Sequence, residues 1–496
     1  MQNEHLRLIL GLKVNQARID KELSLQALSR QVGLSVSYLN EIEKGKKYPK
    51  PERIQKLAEA LDLSYDELVS QKFSSEQEYL EQLLQSPAMR KFPFHLFGIT
   101  LQDVIGLVPN APKEGRALVK ALLDVARGYG MRVEDFFHTA LRCYQEMHQN
   151  YFEDLEDAVD AFRKECGWKE RDKLDKGSVA KVLRERFGFT IDEELLTANE
   201  HLSALRSMYA PGRSPTLYLN GRFSEVQKAF LIGRELGFQV LGLSERGHCS
   251  PDIEVDSFEQ VLNAFKASYF SSALFMNRAR MRDDLKSFFS LTKWQPTAFS
   301  QMVDKYYVTS EMFFYRLSEL IPHYFGISRL HFLRFDKPKG SDTFLLEKQL
   351  NMSQVRIPTG FALKEQFCRR WLSIQIIKDL EEAQRTKGID RLVDAQRSEF
   401  MGDNREFLCI ALARPMVLEE GALTSMTIGF EVNTTLKRTI KFWRDPEIKD
   451  VVTNETCQRC SLSEADCDLR AAPPTVYLWD RARELQRQEV LRIVRE

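Results

Sequence analysis

The sequence has no surplus of charge of either sign and no long apolar run. Lysine and arginine together number 71, as do aspartate and glutamate, so the whole chain does not indicate a polyanionic partner. Any nucleic-acid contact must then come from a local patch. No apolar run approaches the roughly 18 residues that span a bilayer, and the first residues, MQNEHLRLILGLKVNQ, lack the apolar block of a secretion signal. We therefore expect a cytoplasmic protein without membrane contact.

Cysteine is scarce, with eight residues among 496. Because cytoplasmic thiols are mostly reduced, these cysteines do not indicate a disulfide framework. Five are scattered along the chain. The other three, Cys457, Cys460 and Cys467, lie in one short segment, which is a spacing typical of metal binding.

The most informative pattern is a pair of short helices joined at a glycine. It lies in LSLQALSRQVGLSVSYLNEIEKGKKYPKPERIQKLAEALDLSYDEL, residues 23–68. Gly33 supplies a sharp turn between the two helices, and Ser35 can cap the second one. The side chains predicted to be buried in these helices and in a third are Leu25, Leu28, Val32, Leu39, Ile42, Ile54, Leu57, Ala58 and Leu61. This order predicts a helix-turn-helix.

The segment resembles the Cro/lambda-repressor-like (XRE) DNA-binding domains over residues 6–70. The matching positions are Gln26, Ala27, Gly33, Ser35, Tyr38, Glu43 and Gly45. The resemblance implies that the helix from Ser35 to Glu43 enters the major groove of double-stranded operator DNA, with a homodimer reading two half-sites. The predicted DNA contacts are Gln26, Ser35, Val36, Ser37, Tyr38, Asn40, Glu41, Lys44, Lys46 and Lys47, and Lys50 extends the basic run. The alternative interpretation is a small helical bundle with a solvated lysine face.

The middle of the chain contains predicted amphipathic helices, EGRALVKALLDVARGYG and DLEDAVDAFRKECGW. A short strand, a turn at Asn220-Gly221 and a long helix follow, and then another helix in NAFKASYFSSALFMNRARMRDDL. This order resembles the ImmA/IrrE family of zinc peptidase-like domains. The family's zinc ligands would fall at Arg234, Phe238 and Lys266, none of which suits zinc.

Only Glu235 of the His-Glu-x-x-His pattern remains, and we expect it to pair with Arg234 or Lys266. We therefore expect no enzymatic activity and no catalytic residues. The alternative is a metallopeptidase that cleaves a repressor, as active members of that family do, and the missing ligands argue against it.

From about residue 328 the sequence becomes strand-like in RLHFLRFD, TFLLEKQL, EFLCIALARPMV and LTSMTIGFEV. These strands predict an α+β sensory domain built on an antiparallel sheet. The order of Cys-x-Arg-Trp and the later cysteine cluster resembles regulators of short-chain fatty-acyl-CoA metabolism. That resemblance implies one metal site formed by Cys368, Cys457, Cys460 and Cys467, holding an iron–sulfur cluster or, alternatively, zinc. The other interpretation is that the cysteines simply pack.

An acyl-CoA effector would need cations at the mouth of its pocket, and the candidates are Arg369, Arg370 and Arg470. The sequence departs from the family at Arg369, where a proline is common, and in the six-residue gap before Cys467. Both departures bear on which type of cluster the site would hold.

Together these patterns predict a multidomain, mostly α chain with a C-terminal α+β part. The predicted domains are a lambda-repressor-like bundle at 1–70, a helical connector at 71–190, a degenerate peptidase-like domain at 191–325 and a sensory domain at 326–496. The predicted function is a DNA-binding transcriptional regulator that senses a metabolite or redox state. A phage-type or toxin–antitoxin repressor shares the DNA-binding domain but predicts no metal.

Overall fold

The computed structural model describes residues 2–70, 94–98, 132–251, 253, 255–358, 365–401, 405–463 and 465–495. The chain divides into two compact units, Met1–Phe137 and His138–Glu496. The helix predicted in EGRALVKALLDVARGYG lies outside the described residues. None of the helices in the described ranges combines the length and the apolarity that crossing a membrane requires.

The first unit begins with five helices. They are α1 (Gln2–Asp20), α2 (Leu25–Val32), α3 (Val36–Glu43), α4 (Pro51–Leu61) and α5 (Tyr65–Val69). Side-chain caps start three of them, because Ser24, Ser35 and Ser64 each accept a hydrogen bond from a backbone N–H three residues on. Gly33 closes α2 with a left-handed φ of 66°, as the predicted turn requires.

These helices enclose one apolar core. The predicted inner residues of α2, α3 and α4 are buried in it, with Leu25 partly buried at its edge. Helix α1 approaches the end of α3 closely at Gly11, where an added Cβ would overlap the Ile42 carbonyl and lie 2.8 Å from that of Glu43. A glycine is therefore needed at this contact.

The second unit begins with helices around a small sheet. Its helices are α6 (Val133–Met147), which starts in the first unit, α7 (Glu153–Glu165), α8 (Lys176–Phe187), α9 (Leu195–Ala198), α10 (Glu225–Val240), α11 (Phe258–Phe275), α12 (Arg278–Phe289), α13 (Pro296–Lys305) and α14 (Ser310–Phe325). The strands are β1 (Thr190–Asp192), β2 (Ser207–Ala210), β3 (Thr216–Leu219) and β4 (Cys249–Ser250). They run in the order β1-β3-β2-β4, with β1 parallel to β3 and the other pairs antiparallel.

Helices α10 and α11 pack together through small residues. A Cβ on Gly237 would lie 2.9 Å from the Ala267 carbonyl, and a Cβ on Gly233 would meet Ser271 at 2.5 Å. The single helix predicted in NAFKASYFSSALFMNRARMRDDL is wrong, because α11 ends at Phe275 and α12 starts at Arg278. Asn277 makes this break, since its side chain accepts hydrogen bonds from the first N–H groups of α12.

The C-terminal part contains a six-stranded sheet in the order β10-β7-β8-β9-β5-β6. The strands are β5 (Leu330–Lys337), β6 (Leu345–Asn351), β7 (Leu392–Phe400), β8 (Glu406–Pro415), β9 (Leu423–Glu431) and β10 (Lys449–Thr453). All neighbours are antiparallel except β10, which pairs in parallel with β7. The predicted antiparallel sheet is thus present, with one parallel edge that the sequence did not indicate.

Helices cover both faces of this sheet. Helix α15 (Leu372–Lys387) buries Ile374 and Ile377 against Leu333 and Phe335 of β5 and the inner residues of β8. Helix α14 packs on the opposite face, against β5 and β9. A short α16 (Thr434–Thr439) follows β9, and 3-10 turns occur at Phe94–Phe97 and Lys441–Arg444. The final helix, α17 (Thr475–Arg495), leaves large apolar side chains such as Trp479 exposed.

Candidate functional site

Helix α3 presents a polar, accessible face opposite its buried side. Leu39 and Ile42 are fully buried in the domain core, which turns the other side of the helix outward. Among the predicted DNA contacts, Gln26, Ser35, Val36, Ser37, Lys44, Lys46 and Lys47 are exposed, while Tyr38, Asn40 and Glu41 are half-buried. Lys50 is exposed as well. The predicted set therefore shares one accessible region at α2, α3 and the loop that follows.

Tyr38 organises cations beside this face. Its ring lies 4.8 Å from the Arg53 guanidinium and 5.7 Å from the Lys47 ammonium. Lys47 also forms an exposed ion pair with Glu41 at 2.9 Å. Arg53 was missed by the sequence reasoning, although its place in the first turn of α4, just after the lysine run, could have indicated it. The pair between Glu41 and Lys47 leaves Glu41 less free to contact a base than was predicted.

A buried ion pair fixes the end of α3 to α1. Glu43 accepts hydrogen bonds from Arg18 Nε at 2.6 Å and Nη2 at 2.9 Å, and from Asn15 at 2.6 Å. The Arg18 guanidinium also donates to the Leu23 carbonyl. Because a bidentate pair has a defined geometry, it sets the direction of α3 as well as its position.

The glutamate that remains from the zinc-helix pattern forms an ion pair with an arginine. Glu235 is 2% exposed and accepts hydrogen bonds from Arg246 Nη1 at 2.7 Å and Nη2 at 2.6 Å. The predicted pairing of Glu235 with Arg234 or Lys266 is therefore wrong, because Arg246 reaches the carboxylate from a later loop. The same guanidinium stacks 3.8 Å from the Phe238 ring. The Arg246 guanidinium thus pairs with the one carboxylate that remains from the zinc-helix pattern.

Three of the four predicted thiols come together where two chain segments meet. The segments pair at Phe367 and Thr456, and Cys368 N and Cys457 N each donate to a carbonyl of the other segment, at 3.2 and 2.8 Å. Cys368, Cys457 and Cys460 are all buried. Burial raises the pKa of the Cys368 thiol to about 11, and the nearby thiols of Cys457 and Cys460 add to the shift.

Cys467 is only partly buried, on the loop that follows. Within the described ranges, no three Cys, His, Asp or Glu side chains are arranged to hold a metal ion. The donor set nevertheless has the chemistry that soft metals require, since three thiols share a secluded position and a fourth follows on the same loop. A metal would have to displace the thiol protons and draw the side chains closer.

The three candidate effector arginines make contacts inside the protein. Arg369 is buried, donates to the Asp342 carbonyl at 2.7 Å and stacks on Phe344. Arg470 donates to the Cys457 carbonyl at 3.0 Å and to that of Leu462. Arg370 is half-buried and lies 3.5 Å from a carbonyl of the cysteine loop. In this structure these cations support the cysteine loop and its surroundings.

Sequence reasoning missed a buried charge network in the second unit. Arg316 is fully buried and donates to both oxygens of Glu156, at 2.6 and 2.9 Å, and to Glu319 at 2.9 Å. Tyr269 donates to Glu156 as well. Burial raises the pKa of Glu319 to about 7, although Arg316 opposes the shift. The only sequence signal was an arginine and a glutamate at helical spacing in FFYRLSEL.

Comparison with known proteins bears on the N-terminal domain. Residues 14–68 match the family model described as helix-turn-helix. No curated protein matches the chain. A solved Mycobacterium tuberculosis transcriptional regulator is similar at 16% identity, over 67% of this chain and 93% of that chain, with a TM-score of 0.46. The family match and the capped α2–α3 pair identify residues 14–68 as a helix-turn-helix domain, a type of domain that binds DNA.

Proposed function

We propose that this chain regulates transcription as a homodimer, reading an operator through α3 and responding to an effector through its C-terminal part. The observation that carries the proposal is the exposed face of α3, held in place by the Arg18–Glu43 pair beside a run of lysines. Lysines suit phosphate contact, and a short capped helix suits base contact in the major groove. Each domain fits one half-site, so two copies are needed for a palindromic operator.

The test is the affinity of the full chain for an operator selected from random duplexes. We expect Asn40→Ala to weaken specific binding by about 1–3 kcal/mol, since it removes a base contact. Lys46→Ala removes a phosphate contact, so it should weaken binding to all sequences and lower the salt dependence by about one unit of slope. The control is Lys387→Ala, an exposed lysine at the end of α15. Unchanged affinity in both α3-region variants would refute the groove assignment.

For the signal, we propose a metabolite, with short-chain acyl-CoA as the candidate, or a redox change at the cysteine site. Cys368, Cys457 and Cys460 support the second option because they are buried together, with Cys467 as the candidate fourth ligand. Four thiolates suit an iron–sulfur cluster or zinc. Either signal would act by changing how the two DNA-binding domains match their half-site spacing.

The cysteine proposal is tested by anaerobic purification, metal and sulfide analysis and an absorption spectrum. We expect iron with sulfide, or one zinc per chain, in the wild type and loss of the metal in Cys457→Ser. Cys143→Ser, which alters an exposed cysteine elsewhere in the chain, is the control. Metal-free wild-type protein under these conditions would contradict the site.

We expect no peptidase activity from the helix that resembles a zinc helix. Arg246 donates to both carboxylate oxygens of Glu235, and Arg234 and Phe238 stand where imidazoles would be required. The measurement is cleavage of a repressor-derived substrate in the presence of zinc. Cleavage that disappears in Glu235→Gln would establish the peptidase instead.

A further inference from the structure

Four exposed cations lie close together in the segment that follows β9. Lys437 and Arg438 belong to the last turn of α16, and Lys441 and Arg444 begin and end the 3-10 turn after it. Within the described part of the chain, none of these four side chains forms an ion pair. The Lys441 ammonium donates to the Arg438 carbonyl at 2.8 Å, which keeps two of the charges side by side. We call these four residues the basic segment.

Other exposed arginines of the second unit are paired with carboxylates. Arg186 lies 2.6 Å from Glu165, and Arg391 lies 2.6 Å from Asp304. A cation that has such a partner is partly neutralised and contributes little to the field around the protein. The basic segment therefore differs from the surrounding surface in carrying charges that are open to a partner from outside.

Two acidic residues follow the basic segment without pairing with it. Asp445 is buried, and its carboxylate accepts hydrogen bonds from the backbone N–H groups of Trp294 and Glu447, at 2.6 and 3.0 Å. Glu447 is exposed, and so is Lys449 two residues later. Between residues 437 and 449, five cations thus face two carboxylates, so the segment stays positive when both acids are counted.

Contacts inside the protein anchor the basic segment to the second unit. Phe442 is buried, and its ring lies 5.2 Å from that of Phe288. Arg397 of β7 donates to the backbone carbonyls of Trp443 and Asp445, at 3.2 and 3.0 Å. The exposed cations therefore extend from a backbone whose path is already fixed, which lowers the ordering cost of binding a partner.

Two of the cations lie beside one aromatic ring. The Lys437 ammonium is 5.0 Å from the centre of the Trp443 ring, and the Arg444 guanidinium is 4.4 Å from it. Both distances fall within the reach of a cation–π contact. Because like charges repel, two cations held beside the same ring favour an anionic group that reaches both.

We propose that the basic segment is a second DNA contact, which holds the phosphate backbone of the duplex that α3 reads. Accessible lysine and arginine side chains bind phosphates without regard to base sequence. The inference rests on the proposed function for its partner, because α3 brings the duplex to the chain. A duplex held by one part of the chain meets the other parts at a raised effective concentration.

The chemistry of the segment favours duplex DNA over a membrane or a single strand. A surface that binds a bilayer combines cations with apolar side chains that enter the lipid, but Leu436, Ile440 and Phe442 are buried in the protein. A surface for single strands offers open aromatic faces on which bases stack. The Trp443 ring is half-buried and contacts two cations, so it does not offer such a face.

The test is the affinity of the full chain for a long random-sequence duplex, measured by fluorescence anisotropy over a range of salt concentrations. The variant replaces the whole basic segment by glutamine, with Lys437→Gln, Arg438→Gln, Lys441→Gln and Arg444→Gln. We expect roughly tenfold weaker binding at low salt and a salt slope lowered by about two to four units, since each phosphate contact contributes about 0.9. A wild-type slope in this variant would overturn the second contact.

The matched control removes four exposed cations from α7, α8, the β2–β3 loop and α15. Its substitutions are Lys164→Gln, Lys181→Gln, Arg213→Gln and Lys387→Gln. The control has the same net charge as the basic-segment variant, so its affinity and slope should stay close to those of the wild type. An equal loss in the control would show that net charge alone acts and would refute the site.

Two double variants keep the test valid if the fourfold variant lowers the Tm. Lys437→Gln with Arg438→Gln, and Lys441→Gln with Arg444→Gln, should each give about half of the change in slope, since each removes half of the phosphate contacts. Wild-type slopes in both folded double variants would count against the proposal.

The same measurements separate this inference from operator reading by α3. The ratio of operator affinity to random-duplex affinity should be unchanged in the basic-segment variant, because phosphate contacts carry no sequence information, whereas Asn40→Ala should lower it. A chain that binds random duplexes through the basic segment and selects no operator would refute the reading by α3 and leave the second contact. Loss of binding to anionic phospholipid vesicles, with wild-type affinity for DNA, would overturn the assignment to DNA.

Discussion

At the scale of single residues, the protein places several charges in its interior and gives each a specific partner. Glu235 is held by Arg246, Glu43 by Arg18, and Arg316 by Glu156. A buried ion pair is costly to desolvate, and its clearest effect is seen when one partner is removed. These pairs therefore make sharp predictions about stability.

Replacing Arg246 by alanine should leave the Glu235 carboxylate buried without its main partner. We expect a loss of about 3–5 kcal/mol in the free energy of unfolding of the second unit, measured as a lower Tm by calorimetry of the full chain. The double variant Glu235→Leu with Arg246→Ala should recover part of this loss, because no buried charge remains. Equal Tm values for the wild type and Arg246→Ala would contradict the pairing.

Glu319 should make stability depend on pH. Its pKa rises from an ordinary 4.5 to about 7 on folding, chiefly through burial. Between these values the folded chain holds a proton that the unfolded chain releases, so stability falls as the pH rises through this window, and the loss is complete above the folded pKa. Glu319→Gln does not titrate, so its Tm should fall less than that of the wild type between about pH 5 and pH 8.

The control for this experiment is Glu382→Gln, an exposed glutamate on α15. Its Tm should follow the wild-type pH dependence. If Glu319→Gln gives a curve parallel to that of the wild type, the titration belongs to another group.

Whether the role of a residue could be predicted depends on how far along the sequence its interaction partner lies. The cap at Ser35 and the buried Leu39 follow from neighbours within one helical turn, and the sequence predicted both. The partner of Glu235 comes from a loop beyond its own helix, and that of Arg316 from a distant helix, so no local pattern could indicate either. For Glu235 the prediction chose Arg234 or Lys266 and was wrong, because the partner is Arg246.

At the scale of helices and strands, α3 is the element whose position matters most for the proposed DNA contact. It contacts α1 at two points, the Arg18–Glu43 ion pair and the close approach at Gly11. Neither contact uses the exposed face. The orientation of α3 can therefore be altered without changing any group that would meet DNA.

The substitution Gly11→Ala disturbs the contact between α1 and α3 without altering a DNA-facing side chain. The new Cβ would overlap the Ile42 carbonyl, so α1 and α3 would have to move apart at a cost of about 1–3 kcal/mol. We expect weaker operator binding in a gel shift, although no DNA-facing side chain has changed. Gly177→Ala in α8 is the matched control, because its added Cβ would make only an ordinary contact of 3.6 Å. Wild-type affinity in Gly11→Ala would show that the contact is dispensable.

Strands were predicted where one face or both are apolar. The strands β5, β6, β8 and β9 were recognised from such runs. Strand β7, in LVDAQRSEF, was missed because polar residues such as Asp394 and Arg397 interrupt its apolar pattern. Its backbone hydrogen bonds with β8 place it in the sheet. Strands β1 and β4 are too short to leave a pattern.

At the scale of the whole molecule, the DNA-binding domain and the candidate signal sites belong to different compact units. The thiols of the candidate metal site lie in the second unit. In the proposed homodimer, a signal would act through the spacing of the two DNA-binding domains, since a half-site fits only one of them.

A homodimer should therefore prefer a fixed distance between half-sites. We expect tight binding when two half-sites lie about 34 Å apart along the duplex, on the same face. Inserting five base pairs turns one half-site to the opposite face, so affinity should fall at least tenfold in fluorescence anisotropy. A single half-site binding as tightly as the pair would contradict the dimer, and light scattering gives the mass independently.

The arginine supports of the cysteine loop bear on how a cofactor would come and go. Arg470 donates hydrogen bonds to the carbonyls of Cys457 and Leu462, and the two thiol-bearing segments form backbone hydrogen bonds with each other. Hydrogen bonds within the protein thus hold the described part of the loop, whereas a zinc finger unfolds when its metal is removed. A metal or cluster could then bind and leave while the fold stays intact, so the chain would respond to it reversibly without refolding.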